Sequence, residues 1–236
     1  MNCTCNLLST RKVRDLPIGL HPRFLFGLTN SEVSAVLSEA RHRRFLAPSV
    51  VLHEEDPAER VFLLTSGRAR HFVLTGRGRK ILMHWLTAGQ IFGGAAIVSA
   101  SSRYLASTEV LTDCCALAWD RKTMRDLMTQ IPKLLDNALS IAVTEHVAWF
   151  IAARISLGSE DARSRIAGLL VSLACAIGEA GPDGTRIPIA NDDLASGASV
   201  SPFTVSRTLS KWQQEGILRK GRGKVILQQP ELLIGQ

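Results

Sequence analysis

The sequence predicts an α+β protein with an N-terminal antiparallel β-roll, a long helix in the middle and a C-terminal winged helix-turn-helix. Three observations carry this reading. After Pro48 the chain breaks into short apolar or alternating runs punctuated by glycine, beginning VVLHE and RVFLLTSG. After Pro132 an apolar stripe recurs at 3-4 spacing. From Asp192 to Lys224 the text DDLASGASVSPFTVSRTLSKWQQEGILRKGRGK reads as two helices around a tight turn, followed by a basic glycine hairpin.

Residues 1–22 form an arm that carries Cys3 and Cys5. From Phe24 to Glu39 the pattern FLFGLTNSEVSAVLSE suggests helix, with Thr29 or Asn30 capping the part that holds Val33, Val36 and Leu37. The runs after Pro48 continue as ARHFVLTGRG, KILMHWLTAG, QIFGG, ASTEVLTD and CCALAWD. Many short strands at regular spacing imply a small antiparallel barrel or roll, not a parallel sheet. Helix returns near Arg121, and Pro132 opens a long one on which Leu135, Leu139, Ala142, His146, Trp149, Ala153 and Ser156 fall on one face before Gly158. Such a face suits either a core helix or a dimer seam, and the seam is favoured. Gly158 to Asp161 is a hinge into an apolar helix, Arg163 to Ile177; Gly181 to Gly184 turns into a strand, Arg186 to Ile189.

In the C-terminal motif, Asn191 or Asp192 is placed to cap the first helix, and Ala195 is small enough for a close helix crossing. Ser201 followed by Pro202 is an N-cap and first-turn proline, so the second helix starts there and runs to about Glu215, where Gly216 stops it. Val205 and Leu209 face inward, while Ser201, Phe203, Thr204, Ser206, Arg207 and Lys211 are candidates for DNA contact. Two strands around Gly221 and Gly223 then carry Lys220, Arg222 and Lys224, a wing that suits a phosphate backbone. Between Ser201 and Ile226 six Lys and Arg stand against Glu215 alone, a net of +5 and the electrostatic footprint of a nucleic-acid face. One turn into the second helix, Arg207 can bond guanine O6 and N7 together.

Composition agrees with a two-part regulator. The 236 residues are 46% hydrophobic, enough for a large core, and the net charge of +7 favours a polyanionic partner without choosing one. Residues 1–128 alone hold 17 Lys and Arg against 11 Asp and Glu, so local placement matters more than the total. The first residues lack the apolar run of a signal peptide. The most apolar helical stretch, Ala138 to Leu157, is interrupted by Glu145, His146 and Arg154, so a cytoplasmic protein without membrane attachment is expected. No Ser-His-Asp, paired-carboxylate or phosphate-loop pattern stands out, and no enzymatic activity is expected.

The order of roll, seam helix and winged helix, with Leu63-Leu64-Thr65-Ser66-Gly67-Arg68, Leu86-Thr87-Ala88-Gly89-Gln90-Ile91-Phe92-Gly93 and Thr204-Val205-Ser206-Arg207-Thr208-Leu209, resembles the Crp/Fnr family of bacterial transcription regulators. The resemblance covers nearly all of the chain from about residue 23. It implies a roll of the double-stranded β-helix or jelly-roll type, and four parts: the arm 1–22, a cyclic-nucleotide-binding-like sensor 23–128, a dimerisation helix 129–158 and a DNA-binding domain 159–236. It also implies a homodimer on palindromic double-stranded DNA, with half-sites about one helical turn apart and RNA polymerase as a further candidate partner. An effector in the roll would reorient the DNA-binding domains.

Several residues depart from the family pattern. Members that bind cyclic nucleotides place a glutamate after the Phe-Gly segment and an Arg-Ser pair further on; here these positions hold Gly94 and Tyr104-Leu105, with Arg103 one residue early. Their seam helix offers hydroxyl groups, where this chain has Trp149 and Phe150. Gly93, Gly94, Arg103, Tyr104, Trp149 and Phe150 are therefore candidates to line an effector pocket that does not suit cAMP, and the effector is left open. Members with an iron–sulfur cluster use four thiolates, to which Cys3, Cys5, Cys114 and Cys115 are at most a partial match; adjacent strand residues 114 and 115 point to opposite faces. Ordinary thiols, and no bound metal, are the expectation. The six histidines, including His71 and His84 on strands, show no ligand spacing. Where known members read cytosine with a glutamate, Phe203 can only pack against a thymine methyl. The reading is thus a dimeric DNA-binding regulator with a divergent sensor; the alternative is a sensor module acting through protein partners.

Overall fold

A computed structural model describes residues 15–74, 78, 80–98, 102–147 and 161–234. The chain divides into two compact units, one formed by Met1–Val73 and Met83–Ala148, the other by Leu74–Leu82 and Trp149–Gln236.

In the first unit a 3-10 turn, Arg23–Leu25, precedes helix α1, Asn30–Ser38. Of the helical stretch expected from Phe24 to Glu39, the part capped at Thr29 or Asn30 is α1, with Thr29 as the cap, and Phe24 and Leu25 lie in the separate 3-10 turn. Thr29 accounts for the break: it lies in the extended region, its hydroxyl accepts the Glu32 N–H, and Glu32 accepts the Thr29 N–H at 2.7 Å. Eight strands follow: β1 Arg41–Phe45, β2 Ser49–Leu52, β3 Arg60–Ser66, β4 Arg68–Leu74, β5 Lys80–Thr87, β6 Ile91–Phe92, β7 Ser107–Val110 and β8 Cys114–Asp120, with a one-turn helix α2, Ala95–Val98, between β6 and β7; the last residue of β4 and the start of β5 fall in the stretch counted with the second unit. They make two four-stranded sheets, ordered β1-β8-β3-β6 and β2-β7-β4-β5, with β1–β8, β3–β8, β3–β6, β2–β7 and β4–β7 all antiparallel. This is the antiparallel roll that the glycine-punctuated runs imply.

The sequence reading missed β1. Arg41, His42, Arg43 and Arg44 offer no apolar alternation; their strand exists because β8 supplies a ladder from Arg41↔Ala118 to Phe45↔Cys114. The turn between β3 and β4 needs glycine. Gly67 has φ +87°, and a Cβ there would lie 2.5 Å from both Asp113 O and Cys114 Sγ.

Helices α3, Arg121–Gln130, and α4, Pro132–Ile141, close the unit, and α4 runs on as a π-helical turn over Ala142–Val147. Asp120 caps α3, accepting the Thr123 N–H at 2.9 Å, and Pro132 stands in the first turn of α4 as expected. The core joins Phe24, Val36, Leu37, Leu63, Leu64, Trp119, Met124 and Leu134, all at most 2% exposed. Its polar atoms are paired: Trp119 Nε1 donates to Val36 O at 2.8 Å, and Asn137 Nδ2 donates to Phe24 O and Phe26 O, both at 2.9 Å.

The opposite face of α4 is open. Leu135, Leu139 and Val143, at 40%, 57% and 60% exposure, form an i, i+4, i+8 row beside exposed Ala142. Trp149, Ala153 and Ser156, which continue the stripe in sequence, lie outside the described residues.

In the second unit α5, Ala162–Ile177, buries Ile166, Leu170 and Leu173, and Asp161 caps it by accepting the Ser164 N–H at 2.8 Å. Strand β9, Glu179–Gly181, pairs with β10, Gly184–Ile187. The strand expected at Arg186 to Ile189 therefore lies two residues earlier, because Pro188 has no N–H with which to extend the ladder. Helices α6, Asn191–Gly197, and α7, Pro202–Gln214, and strands β11, Leu218–Gly221, and β12, Lys224–Leu227, follow, then a short α8, Glu231–Ile234. The sheet order is β11-β12-β10-β9. Among the described residues no helix is long and apolar enough to cross a membrane.

Candidate nucleic-acid interface

Helices α6 and α7 form the helix-turn-helix. The cap of α6 differs from expectation: it is Ala190, without a side-chain bond. Asn191 is already helical, and Asp192 and Asp193 place negative charge in the first turn, where the helix dipole favours it. The turn is tight. Ser199 adopts φ +53°, and Val200 N–H donates to Ala195 O at 3.0 Å. Leu194, Ala195, Ala198, Val205, Leu209 and Trp212 are buried and lock the two helices together.

Helix α5 fixes the frame from behind. Arg165 Nε donates to Ala198 O at 3.0 Å, holding the turn. The Arg163 guanidinium lies 5.5 Å from the Trp212 ring centroid and 3.1 Å from Glu215 Oε2, holding the far end of α7. The Ser164 N–H holds the Asp161 carboxyl below its ordinary range, so the cap is ionised at neutral pH.

Helix α7 starts and stops where sequence reasoning placed it. Ser201 Oγ accepts the Thr204 N–H at 3.1 Å and lies 2.8 Å from Thr204 Oγ1. Ser201 and Thr204, both candidate DNA contacts, thus also build the cap. With Val205, Leu209 and Trp212 turned inward, Phe203, Ser206 and Arg207 stand exposed on the outward face, and Ser210 continues it half-buried one turn on. Phe203 is 75% exposed, a large apolar ring in water at the helix start. Lys211 is exposed and meets Glu215 only at 4.0 Å.

The wing is the β11–β12 hairpin, in register from Leu218↔Leu227 to Gly221↔Lys224, with Arg222 and Gly223 at its tip. Its cations differ in their surroundings. Arg219 reaches Asp183 at 3.4 Å. Lys220 donates from Nζ to Ser210 Oγ at 2.7 Å and from its backbone N–H to Gln213 Oε1 at 2.9 Å. Arg222 is exposed at the tip, and Lys224 is half-buried beside it. No sequence signal marked the Gln213 and Ser210 bonds to Lys220, because they link residues seven and ten apart across a helix end and a strand.

The proposed effector residues lie elsewhere. Gly93, with φ +76°, leaves no room for a Cβ, which would sit 2.5 Å from Arg60 O; Gly94 next to it faces open space within 4 Å. Tyr104 is 6% exposed, and its hydroxyl accepts the Arg60 N–H at 3.0 Å and donates to Arg60 O at 3.1 Å. Burial pushes this phenol above its ordinary range. The Arg103 guanidinium donates to Glu55 O, and Arg121 donates to Ala58 O and, at 3.0 Å, to Ser102 Oγ. Trp149 and Phe150 lie outside the described residues, as do Cys3 and Cys5.

Cys114 and Cys115 are both buried, on consecutive positions of β8. The Cys114 thiol donates to Thr112 O at 3.1 Å, and burial raises its pKa, the opposite of what a thiolate ligand needs. Among the described residues no three His, Cys, Asp or Glu side chains group as a metal site.

Two family models match the chain in sequence. The cyclic nucleotide-binding domain matches residues 42–131, and the Crp-like helix-turn-helix domain matches residues 164–235. The chain is 28% identical over 207 residues to the cyclic AMP receptor protein of Thermus thermophilus, covering 88% of this chain and 93% of that one. It is 25% identical over 206 residues to a probable transcriptional regulator, flp, of Lacticaseibacillus casei, covering 85% and 90%. In structure it resembles CLP of Xanthomonas campestris, described as a c-di-GMP responsive global regulator, with TM-score 0.74 over 84% of this chain and 99% of that one at 19% identity. It likewise resembles FixK2 of Bradyrhizobium japonicum, with TM-score 0.73 over 83% and 96% at 19% identity. With a cyclic-nucleotide-type roll followed by a Crp-like helix-turn-helix, the chain belongs to the Crp/Fnr family of transcription regulators.

Proposed function

We propose that this protein is a cytoplasmic homodimer that binds a palindromic DNA site and whose roll answers to an effector other than cAMP. The observation that carries the DNA reading is the outward face of α7, where Phe203, Ser206 and Arg207 stand exposed beside a basic wing. An exposed arginine flanked by a hydroxyl and an aromatic ring has the donors and the apolar surface needed to read guanine and a neighbouring thymine methyl in the major groove. The exposed Leu135, Leu139 and Val143 row supports the dimer, since a continuous apolar strip on a helix gains by pairing with its copy. Two such modules on one axis would engage half-sites about one helical turn apart. A surface of this kind could also present the regulator to RNA polymerase.

The divergent effector is supported by the fate of the polar groups at the end of the roll. A cyclic nucleotide needs a cation for its phosphate and acceptors for its hydroxyls. Here Tyr104 is spent on Arg60, Arg103 on Glu55, and Gly94 offers no side chain. The Thermus thermophilus relative is named for cyclic AMP, so the divergence is one within the family.

Selection of bound sequences from random DNA tests the reading. Enrichment of a two-fold symmetric site with a guanine and an adjacent T-rich step in each half is expected. Enrichment of an unaltered TGTGA-like half-site would contradict the role of Phe203, and absence of any specific complex would favour a module that acts through protein partners instead.

A further inference from the structure

We infer that Lys220 is a positioning residue that latches the wing to the recognition helix, with Ser210 and Gln213 as its seats, and not one of the wing's phosphate contacts. The inference rests on the DNA-binding reading above. By charge alone, Lys220 belongs with Arg222 and Lys224 among cations that meet the phosphate backbone. Its surroundings separate it from them.

Strand β11 is an edge of its sheet, paired on one side only with β12. An edge strand presents unpaired N–H and C=O groups, and the hairpin tip, Gly221 to Lys224, extends past the ladder that ties β12 to β10, where a two-stranded end can swing. Lys220 closes that freedom twice. Its backbone N–H is taken by Gln213 Oε1 at 2.9 Å, near the end of α7, and its Nζ is taken by Ser210 Oγ at 2.7 Å, one turn earlier. The donor and acceptor roles are consistent: the Ser210 hydroxyl donates its proton to Ser206 O at 2.8 Å, which leaves its lone pairs for the ammonium. Main chain and side chain of one residue therefore grip two successive turns of the helix that reads the bases.

Two consequences follow from the placement. Ser210 lies on the same helix face as Ser206 and Arg207, so the latch occupies the far end of the reading face and confines base readout to the first two turns, Phe203 to Arg207. Arg222, at the tip beyond Gly221, is set at a fixed distance from that face. Phosphate contact by the wing then falls to Arg222 and Lys224, while Lys220 decides where they point.

Binding of the full-length protein to its selected DNA site, measured over a range of salt, tests this with four single variants and one double variant. A latch predicts that Ser210→Ala, which removes no charge, lowers affinity about two- to tenfold, the range for one lost hydrogen bond. Lys220→Met should do the same, and the double variant should be no worse than either single one, because both break one contact. Lys220→Gln, which keeps a donor but no charge, should stay within about twofold of the parent with an unchanged salt slope. Gln213→Leu should lose wing-dependent phosphate protection in ethylation interference while keeping the contacts of Arg207. A phosphate contact predicts the reverse: Ser210→Ala without effect, and Lys220→Gln reducing the salt slope by about one phosphate's worth. That pattern would overturn the inference and leave the DNA-binding reading standing. Absence of a specific complex with the parent protein would overturn both.

Discussion

The outward face of α7 and the roll around Tyr104 both carry polar side chains, yet they use them in opposite ways. On α7 the polar and aromatic groups Phe203, Ser206 and Arg207 stand in solvent, and the bonds that build the helix are made by others, Ser201 and Thr204 at the cap and Arg163 behind Trp212. At the roll the groups in the places of a ligand site are the ones that build the fold. Tyr104 clamps the Arg60 backbone, Arg103 and Arg121 bond carbonyls, and Gly93 admits a close backbone approach. A side chain left unengaged by its own chain is available for recognition; one engaged at both ends is part of the scaffold. By that measure Phe203, Ser206 and Arg207 are left free by the fold, while Tyr104 and Arg103 are engaged by it, which is the contrast the proposed function rests on.

The sharpest way to break the contrast is at Arg207. Arg207→Ala should weaken binding to the selected site by up to about 3 kcal/mol and relax base choice at one position, without changing thermal stability, as read by gel shift and melting together. Equal loss on all sequences would place Arg207 on phosphate instead. Tyr104→Phe should behave inversely. Removing the hydroxyl leaves the partly buried Arg60 N–H and C=O without that partner and should cost about 1 to 2 kcal/mol in chemical denaturation while DNA affinity is kept. Unchanged stability would mean that the hydroxyl is held for a ligand.

Smaller effects sharpen the same division. Asp120 caps α3, and the Thr123 N–H, aided by Arg41, holds its carboxyl below the ordinary value of 3.8. A carboxyl depressed in the folded state contributes stability at pH values above its unfolded pKa, and that contribution is lost as the pH falls through the folded one. Asp120→Ala should therefore cost about 1 kcal/mol at neutral pH and flatten the acid limb below about pH 4, whereas Asp120→Asn should keep most of the cap and lose the pH dependence. A parallel shift of the whole profile would contradict this. The smallest effect belongs to Cys114. Its raised pKa and burial predict slow alkylation at neutral pH in the folded protein and fast alkylation on unfolding, with no change in DNA binding for Cys114→Ser. Rapid labelling of the folded protein would point to an accessible thiolate.

The two sides were also unequally legible in the sequence. The helix-turn-helix depends on local signals, a cap at Ser201, a proline at 202, a stop at Gly216 and inward Val205 and Leu209, and each sits within a few residues of what it controls. The roll depends on pairing between distant strands. That is why RHRRF gives no local sign of being β1, whose ladder β8 supplies, whereas the cap at Thr29 is a local signal that the sequence shows, and the two-residue shift of the strand at Arg186 comes from its neighbour Pro188. At the roll's end the departures at Gly94 and Tyr104 were legible as missing ligands, but not what Tyr104 does instead, since its partner Arg60 is 44 residues away.

By itself the sequence determined the periodicities, the caps, the turn glycines and the placement of charge, because these follow from backbone geometry and from neighbours within one or two turns. Only the tertiary structure decided which of the charged and polar residues are spent. Whether Lys220 meets Ser210, Arg103 meets Glu55 or Leu139 remains uncovered depends on which distant backbone comes within about 3 Å, the reach of a hydrogen bond. The same kind of cation is bonded within the fold in one place and left exposed in another, and the difference lies in the neighbour, not in the residue.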